Sequence, residues 1–160
     1  MRKIPTIIAI DPASNKAGVA LYYNEIIRSA LLTGYGNWTQ RITQQRQQLE
    51  LFLNHYLPEN QIINHLVVEN VVGFRNSKLS YSVGALCSLP CIQSELNLMA
   101  PSCWKKVVKK CGGGKIQKGF AALRYVRPGY PQVSDDEADA ILMLLAYLEK
   151  GFTDEQYTDY

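Results

Sequence analysis

Two rhythms of apolar and polar positions run along this chain, and the switch between them divides it into strands and helices. The first three segments are short and rich in β-branched residues: Ile4 to Asp11, Gly18 to Tyr23 and Ile26 to Leu32. Close spacing and turn residues between them predict an antiparallel meander. Pro12-Ala13-Ser14-Asn15-Lys16 supplies its first turn and Asn24-Glu25 its second, the latter a weaker signal than Asn-Gly. After Gly34 and Gly36 the period lengthens. Trp38 to Tyr56 places Ile42, Leu49, Phe52, Leu53 and Tyr56 on one side of a helix with a glutamine-rich face opposite, and Pro58 closes it.

The second half alternates. Leu66 to Val72 is apolar without interruption except at Glu69 and Asn70, which predicts a central strand buried on both faces. A polar loop, Gly73 to Lys78, leads to a short helix over Leu79 to Leu89, where Pro90 either kinks the helix or starts a turn. A strand near Leu96 to Ala100 follows. Pro101 then suits the first turn of a helix carrying Trp104, Val107, Val108 and Cys111 at helical spacing, stopped by Gly112-Gly113-Gly114. Another helix is predicted over Ile116 to Val126. The last starts after Ser134, whose capping box is completed by Glu137. Strands, a helix, then alternation predict an α/β domain with a mixed sheet covered on both faces. Residues 1–150 are expected to form it, with an acidic tail at 151–160.

Composition narrows the class. At 160 residues and 47% hydrophobic the chain can bury one sizeable core. Its longest strongly apolar stretch, Ala138 to Leu148, is too short to span a bilayer, and no charged-then-apolar leader precedes the first strand, so a cytoplasmic protein is expected. Cys87, Cys91, Cys103 and Cys111 lack the paired short spacings of a zinc site. Cys87 and Cys91, four apart on an expected helix, read as small buried hydrophobes.

The net charge is only +3, but its distribution is uneven. No acid lies between Glu95 and Asp135, a stretch holding Lys105, Lys106, Lys109, Lys110, Lys115, Lys118, Arg124 and Arg127. A local basic field on a nearly neutral protein suits a polyanion facing one surface. A solvated helix face is the plainer explanation of such a run.

Four acids change the picture. Asp11 ends Ile7-Ile8-Ala9-Ile10, Glu69 ends Leu66-Val67-Val68, and Asp136 and Asp139 lie three apart at the start of the last helix. Singly, each has an ordinary use: Asp11 as a turn residue before proline, Asp136 at a helix N-terminus. Glu69 within Val67-Val68 and Val71-Val72 has the poorest ordinary use. Carboxylates at the ends of buried strands are costly to desolvate unless cations offset them, and Mg²⁺ prefers such oxygens. Two cations about 4 Å apart can activate a water and stabilise the leaving oxygen of a phosphodiester. Asp11, on the expected middle strand, is the candidate to bridge them.

In this combination Ile8-Ala9-Ile10-Asp11-Pro12-Ala13-Ser14, Val67-Val68-Glu69-Asn70-Val71 and Asp136-Glu137-Ala138-Asp139-Ala140 resemble the three acidic motifs of RuvC-type Holliday junction resolvases. These have the ribonuclease H-like fold, and the resemblance covers Ile4 to about Leu148. It implies a five-stranded mixed sheet flanked by helices, a homodimer, and hydrolysis supported by two Mg²⁺ ions per site, with Mn²⁺ as substitute. It further implies four-way and related branched DNA as substrate, with paired nicks and no nucleotide cofactor. The catalytic and metal-holding acids would be Asp11, Glu69, Asp136 and Asp139. Lys105 or Lys106, and Lys115 after the glycine run, match the family's lysines. Lys115 is the catalytic candidate, while Lys118, Lys109, Lys110 and Arg75 would contact DNA.

Two departures stand out. Ala13 occupies a place where the family usually has glycine. The family's wedge aromatic is missing at Val72, leaving Phe74 as either wedge or core residue. The size, without an extended basic tail, is more similar to phage-encoded members. Tyr81, Val83, Leu86 and Leu89 offer either a dimer surface or core. Competing functions are a ribonuclease H-like enzyme acting on RNA or an RNA–DNA hybrid, and a catalytically silent junction-binding protein. A sugar-kinase or actin type module needs a second nucleotide-binding half, for which 160 residues leave no room.

Overall fold

The computed structural model describes residues 4–13, 15–70, 77–110 and 133–150. In chain order these form β1 (Ile7–Asp11), β2 (Lys16–Tyr23), β3 (Ile26–Thr33), α1 (Trp38–Tyr56), β4 (His65–Glu69), α2 (Ser77–Cys87), β5 (Leu96–Met99), α3 (Pro101–Lys110) and α4 (Asp135–Lys150). The five strands make one sheet in the order β3-β2-β1-β4-β5. β1, β2 and β3 form the antiparallel meander, while β4 and β5 run parallel to β1. This is the α/β, five-stranded mixed sheet that the sequence leads one to expect.

The meander's second turn works by backbone geometry. Asn24 and Glu25 both adopt positive φ, 50° and 62°. A two-residue type I′ turn demands that pair of conformations, because only then does its twist match the flanking strands. Asparagine tolerates the left-handed region, whereas glutamate pays a steric cost there.

Alternation along the strands sends side chains into two cores. Ile8, Ile10, Val19, Leu21, Leu66 and Val68 pack against Leu49 and Leu53 of α1 and Val83 and Leu86 of α2. Ile7, Ala9, Ala20 and Val67 face the other way, against Trp104 of α3 and Ala140, Ile141 and Met143 of α4. Residues Ala140 to Leu144 are all fully buried. That explains why α4 reads as apolar all round rather than striped: no side of its middle meets water.

Some boundaries differ from the sequence reading. β1 begins at Ile7 rather than Ile4, and β4 ends at Glu69 although the apolar run continues. The parallel ladder with β5 stops at the Glu69–Met99 pair, and two residues later Pro101 begins α3. α2 starts at Ser77 and ends at Cys87, so Pro90 and Cys91 lie in a turn beyond it and Cys91 is not helical. Val83, Leu86 and Leu89 are core, leaving Tyr81 as the exposed member of the group considered for a dimer surface. The expected helix 116–126 and the tail 151–160 lie outside the described residues. No described helix is long and apolar enough to cross a membrane.

Candidate active site

Strand register brings the first two acids together. β1 and β4 are parallel neighbours, with Ile7 beside His65, Ala9 beside Val67 and Ile10 beside Val68. One more step along both strands sets Asp11 beside Glu69. Side chains of Asp11 and Glu69 share the face of Ala9 and Val67, since residues two apart on a strand point the same way. That is the face covered by α3 and α4.

Gly18 fixes the position of the third acid. Across the β1–β2 ladder, Gly18 is the partner of Asp11. A Cβ built on Gly18 would fall 1.9 Å from the carbonyl oxygen of Asp136 and 2.8 Å from the amide nitrogen of Glu137. The start of α4 therefore lies directly on the strand opposite Asp11, in a space only glycine leaves open. Asp139, one turn further, has its Oδ1 shielded from solvent. Asp11, Glu69, Asp136 and Asp139 are all half-buried.

Two hydroxyls hold α4 in place. Ser134 Oγ accepts from the Glu137 amide at 3.2 Å and donates to Glu137 Oε1 at 3.3 Å. From β3, Ser29 Oγ donates to Glu137 Oε2 at 2.9 Å within the core. Glu137 thus ties the helix that carries Asp136 and Asp139 to the edge strand of the meander. The macrodipole at this N-terminus also favours the negative charge gathered there.

Trp104, read from sequence only as a buried helix position, donates from Nε1 to Glu69 Oε1 at 3.2 Å. The Nζ of Lys105 lies 5.5 Å from the centroid of the same indole. Lys105 and Lys106 are both exposed, and of the two it is Lys105 that stands on the ring that orients Glu69. Lys109 and Lys110 lie on the last turn of α3, and their side chains are not described. Phe74, Arg75, Lys115 and Lys118 fall outside the described residues.

Gln45 was hidden in the glutamine-rich face. It is fully buried, and its Nε2 donates to the carbonyl of Ala13 at 3.3 Å, just past Asp11. The signal was its place three after Ile42 and four before Leu49, on the apolar stripe. Gly18 was expected only as the first residue of a strand; it lies inside β2, where a glycine commonly marks close backbone approach.

The donor set is four carboxylates, the chemistry of a hard divalent cation. Among the described residues, however, no three acidic, histidine or cysteine side chains stand close enough together to hold an ion in the arrangement seen. Rotation of the side chains about their own torsions would be needed to close on one. Among the described residues the cysteines offer no alternative centre: burial pushes the Cys87 thiol up to about 11 and also raises Cys91. Two surface hollows, of about 620 and 360 Å³, are not lined by any of the four acids.

No protein-family model and no curated protein matches the chain. Among solved structures, RuvC of Thermus thermophilus is similar over 89% of this chain and 92% of its own, with a TM-score of 0.63 and 13% identity. T. thermophilus RuvC in complex with a Holliday junction substrate gives a TM-score of 0.60 at 13% identity, over 91% and 93% of the two chains. The fowlpox virus Holliday junction resolvase, 18% identical over 91% of this chain and 99% of its own, has a TM-score of 0.47, too low to carry an argument. The strands and helices around the acids are thus arranged as in the fold of T. thermophilus RuvC.

Proposed function

We propose that the protein is a structure-selective endodeoxyribonuclease that resolves Holliday junctions and related branched DNA by metal-dependent phosphodiester hydrolysis. One observation carries the reading: β1, β4 and the start of α4 bring Asp11, Glu69 and Asp136 to one end and one face of the sheet. Bringing several half-buried carboxylates to one end of a sheet is unfavourable unless cations offset them. The fold similarity to RuvC supports the choice of substrate.

Asp11, Glu69, Asp136 and Asp139 would hold two divalent cations, Mg²⁺ or Mn²⁺. When bound, such ions supply Lewis-acid stabilisation and a more acidic water. The chain's own contribution is positioning. Trp104 orients Glu69, Gly18 lets α4 approach, and the Ser29–Glu137–Ser134 bonds fix the helix start. Lys115 is the candidate to offset charge on the scissile phosphate. Lys105, Lys106, Lys109, Lys110, Lys118 and Arg75 would contact phosphates without reading sequence, and Phe74 could enter the junction. A homodimer would present two such sites to the two strands of like polarity.

The test is nicking of a mobile four-way junction, with and without Mg²⁺, beside linear duplex and an RNA–DNA hybrid. Metal-dependent paired nicks confined to the junction are expected. Preferential cutting of the hybrid would instead favour a ribonuclease.

A further inference from the structure

The hollow of about 360 Å³ at the α1 end of the meander is lined by Asn15, Lys16, Thr33, Gly34, Tyr35, Gly36 and Arg41. It contains two cations and no acid. Its position relates it to the carboxylates. Lys16 is the β2 partner of Thr33 and lies two residues before Gly18, the residue opposite Asp11. Two steps along a strand preserve the face, so Lys16 lies on the side of the sheet that carries Asp11, while Arg41 belongs to α1 on the other side. The hollow sits at the sheet end that both reach. Strand geometry puts its Cα about 8 Å from that of Asp11, a span of roughly two nucleotides along one DNA strand.

The walls are fixed before any ligand arrives. Arg41 Nη1 donates to the Gly36 carbonyl at 2.9 Å, which holds the guanidinium at the rim. A Cβ on Gly34 would meet the Arg41 backbone at 2.6 Å, so loop and helix are in close contact. Gln48 bonds both backbone groups of Thr33, at 2.9 and 2.7 Å, and Gln44 both of Tyr35, at 2.9 and 3.3 Å. Much of the glutamine-rich face of α1 is thus a clamp on this loop. Lys16 remains exposed, and the Tyr35 ring, 77% exposed, stands at the edge. Holding a charged wall rigid while leaving a lysine and an aromatic open to solvent is the arrangement expected for a nucleic-acid backbone, with the ring available to a sugar or base.

We infer that this hollow is a phosphate-binding subsite for the DNA strand that runs across the carboxylates, with Lys16 and Arg41 as its cations. The inference rests on the nuclease reading above and adds a contact strip on the β2–β3 side, away from the lysines of α3. Its test is equilibrium binding of a four-way junction in EDTA across a salt series. Lys16→Ala should lower affinity about three- to ten-fold and reduce the slope of log K against log salt by about one. Arg41→Gln added to it should bring the reduction near two. Arg41 also supports the loop, so Lys16→Ala alone decides. A junction with an uncharged methylphosphonate about two nucleotides from the nicked bond should bind the unaltered protein more weakly, yet cost Lys16→Ala nothing further. An unchanged slope for Lys16→Ala, or additive losses, overturns the subsite. Metal-dependent nicking by the unaltered protein is scored separately. Nicking with an unchanged Lys16→Ala slope overturns the subsite alone, and a reduced slope without nicking overturns the nuclease reading alone. Failure of the unaltered protein to bind DNA overturns both.

Discussion

Carboxylates gathered at one end of a sheet repel one another, and single residues decide how that repulsion is contained. Gly18 is the most sensitive of them. In Gly18→Ala the new methyl would sit 1.9 Å from the Asp136 carbonyl, so α4 must move. We expect a loss of about 1–3 kcal/mol in urea unfolding, together with slower nicking at temperatures where the variant is still folded. Unchanged stability would mean that α4 does not lie against β2 at this point. Cys87 makes a second prediction. Burial raises its thiol to about 11, so the fold favours the neutral form. The associated stability is intact below the ordinary thiol value near 9.0 and is lost as pH rises toward 11. Alkylation of the folded protein at pH 8 should leave Cys87 largely unmodified by mass spectrometry, and fast labelling would contradict its burial. The acids themselves were legible in the sequence because charge is rare at the end of an apolar run. Trp104 was not, since a tryptophan on an apolar helix face gives no sign that its indole N–H meets a carboxylate.

Among the elements, those with explicit end signals were read most accurately. Ser134 and Glu137 bond at the start of α4, a pair visible as residue types at fixed spacing, while the reciprocal Asn37–Gln40 bonds that start α1 went unread. β4 is described to Glu69, and Val71 and Val72 at the end of its expected range lie outside the described residues. What ends the strand is its partner, β5, after which the chain turns into α3. No end signal was read for α2, and both its bounds were placed two residues late. The β2–β3 turn yields a prediction of its own. Glu25→Gly should remove a non-glycine residue from positive φ and create the Asn-Gly pair that type I′ favours. We expect stabilisation of up to about 1 kcal/mol in chemical denaturation, and destabilisation would show that the turn is not type I′ in solution. Ser29→Ala should cost about 1–3 kcal/mol by leaving one oxygen of the buried Glu137 short of a donor. A cost near zero would show that this bond does not anchor α4.

The whole molecule is a scaffold whose topology converges several elements on one pole. The antiparallel meander and the mixed sheet were legible because three strands joined by short turns pair with one another, whereas the order β3-β2-β1-β4-β5 was not, since nothing local says which edge a crossover strand joins. Assembly could not, since the helix weighed as a dimer surface buries Val83 and Leu86 in its own core. A homodimer remains the expectation for a two-fold substrate, and sedimentation with junction DNA should show two chains per junction. One chain per junction would contradict paired nicking. The most direct test of the central claim is Asp11→Asn, assayed for Mg²⁺-dependent nicking of a four-way junction and, in EDTA, for binding to it. Asp11 should be needed for metal, while affinity comes mainly from cation–phosphate contacts. Cleavage should therefore vanish while binding stays close to that of the unaltered protein. Substantial Mg²⁺-dependent nicking by the purified variant would contradict the assignment of the site.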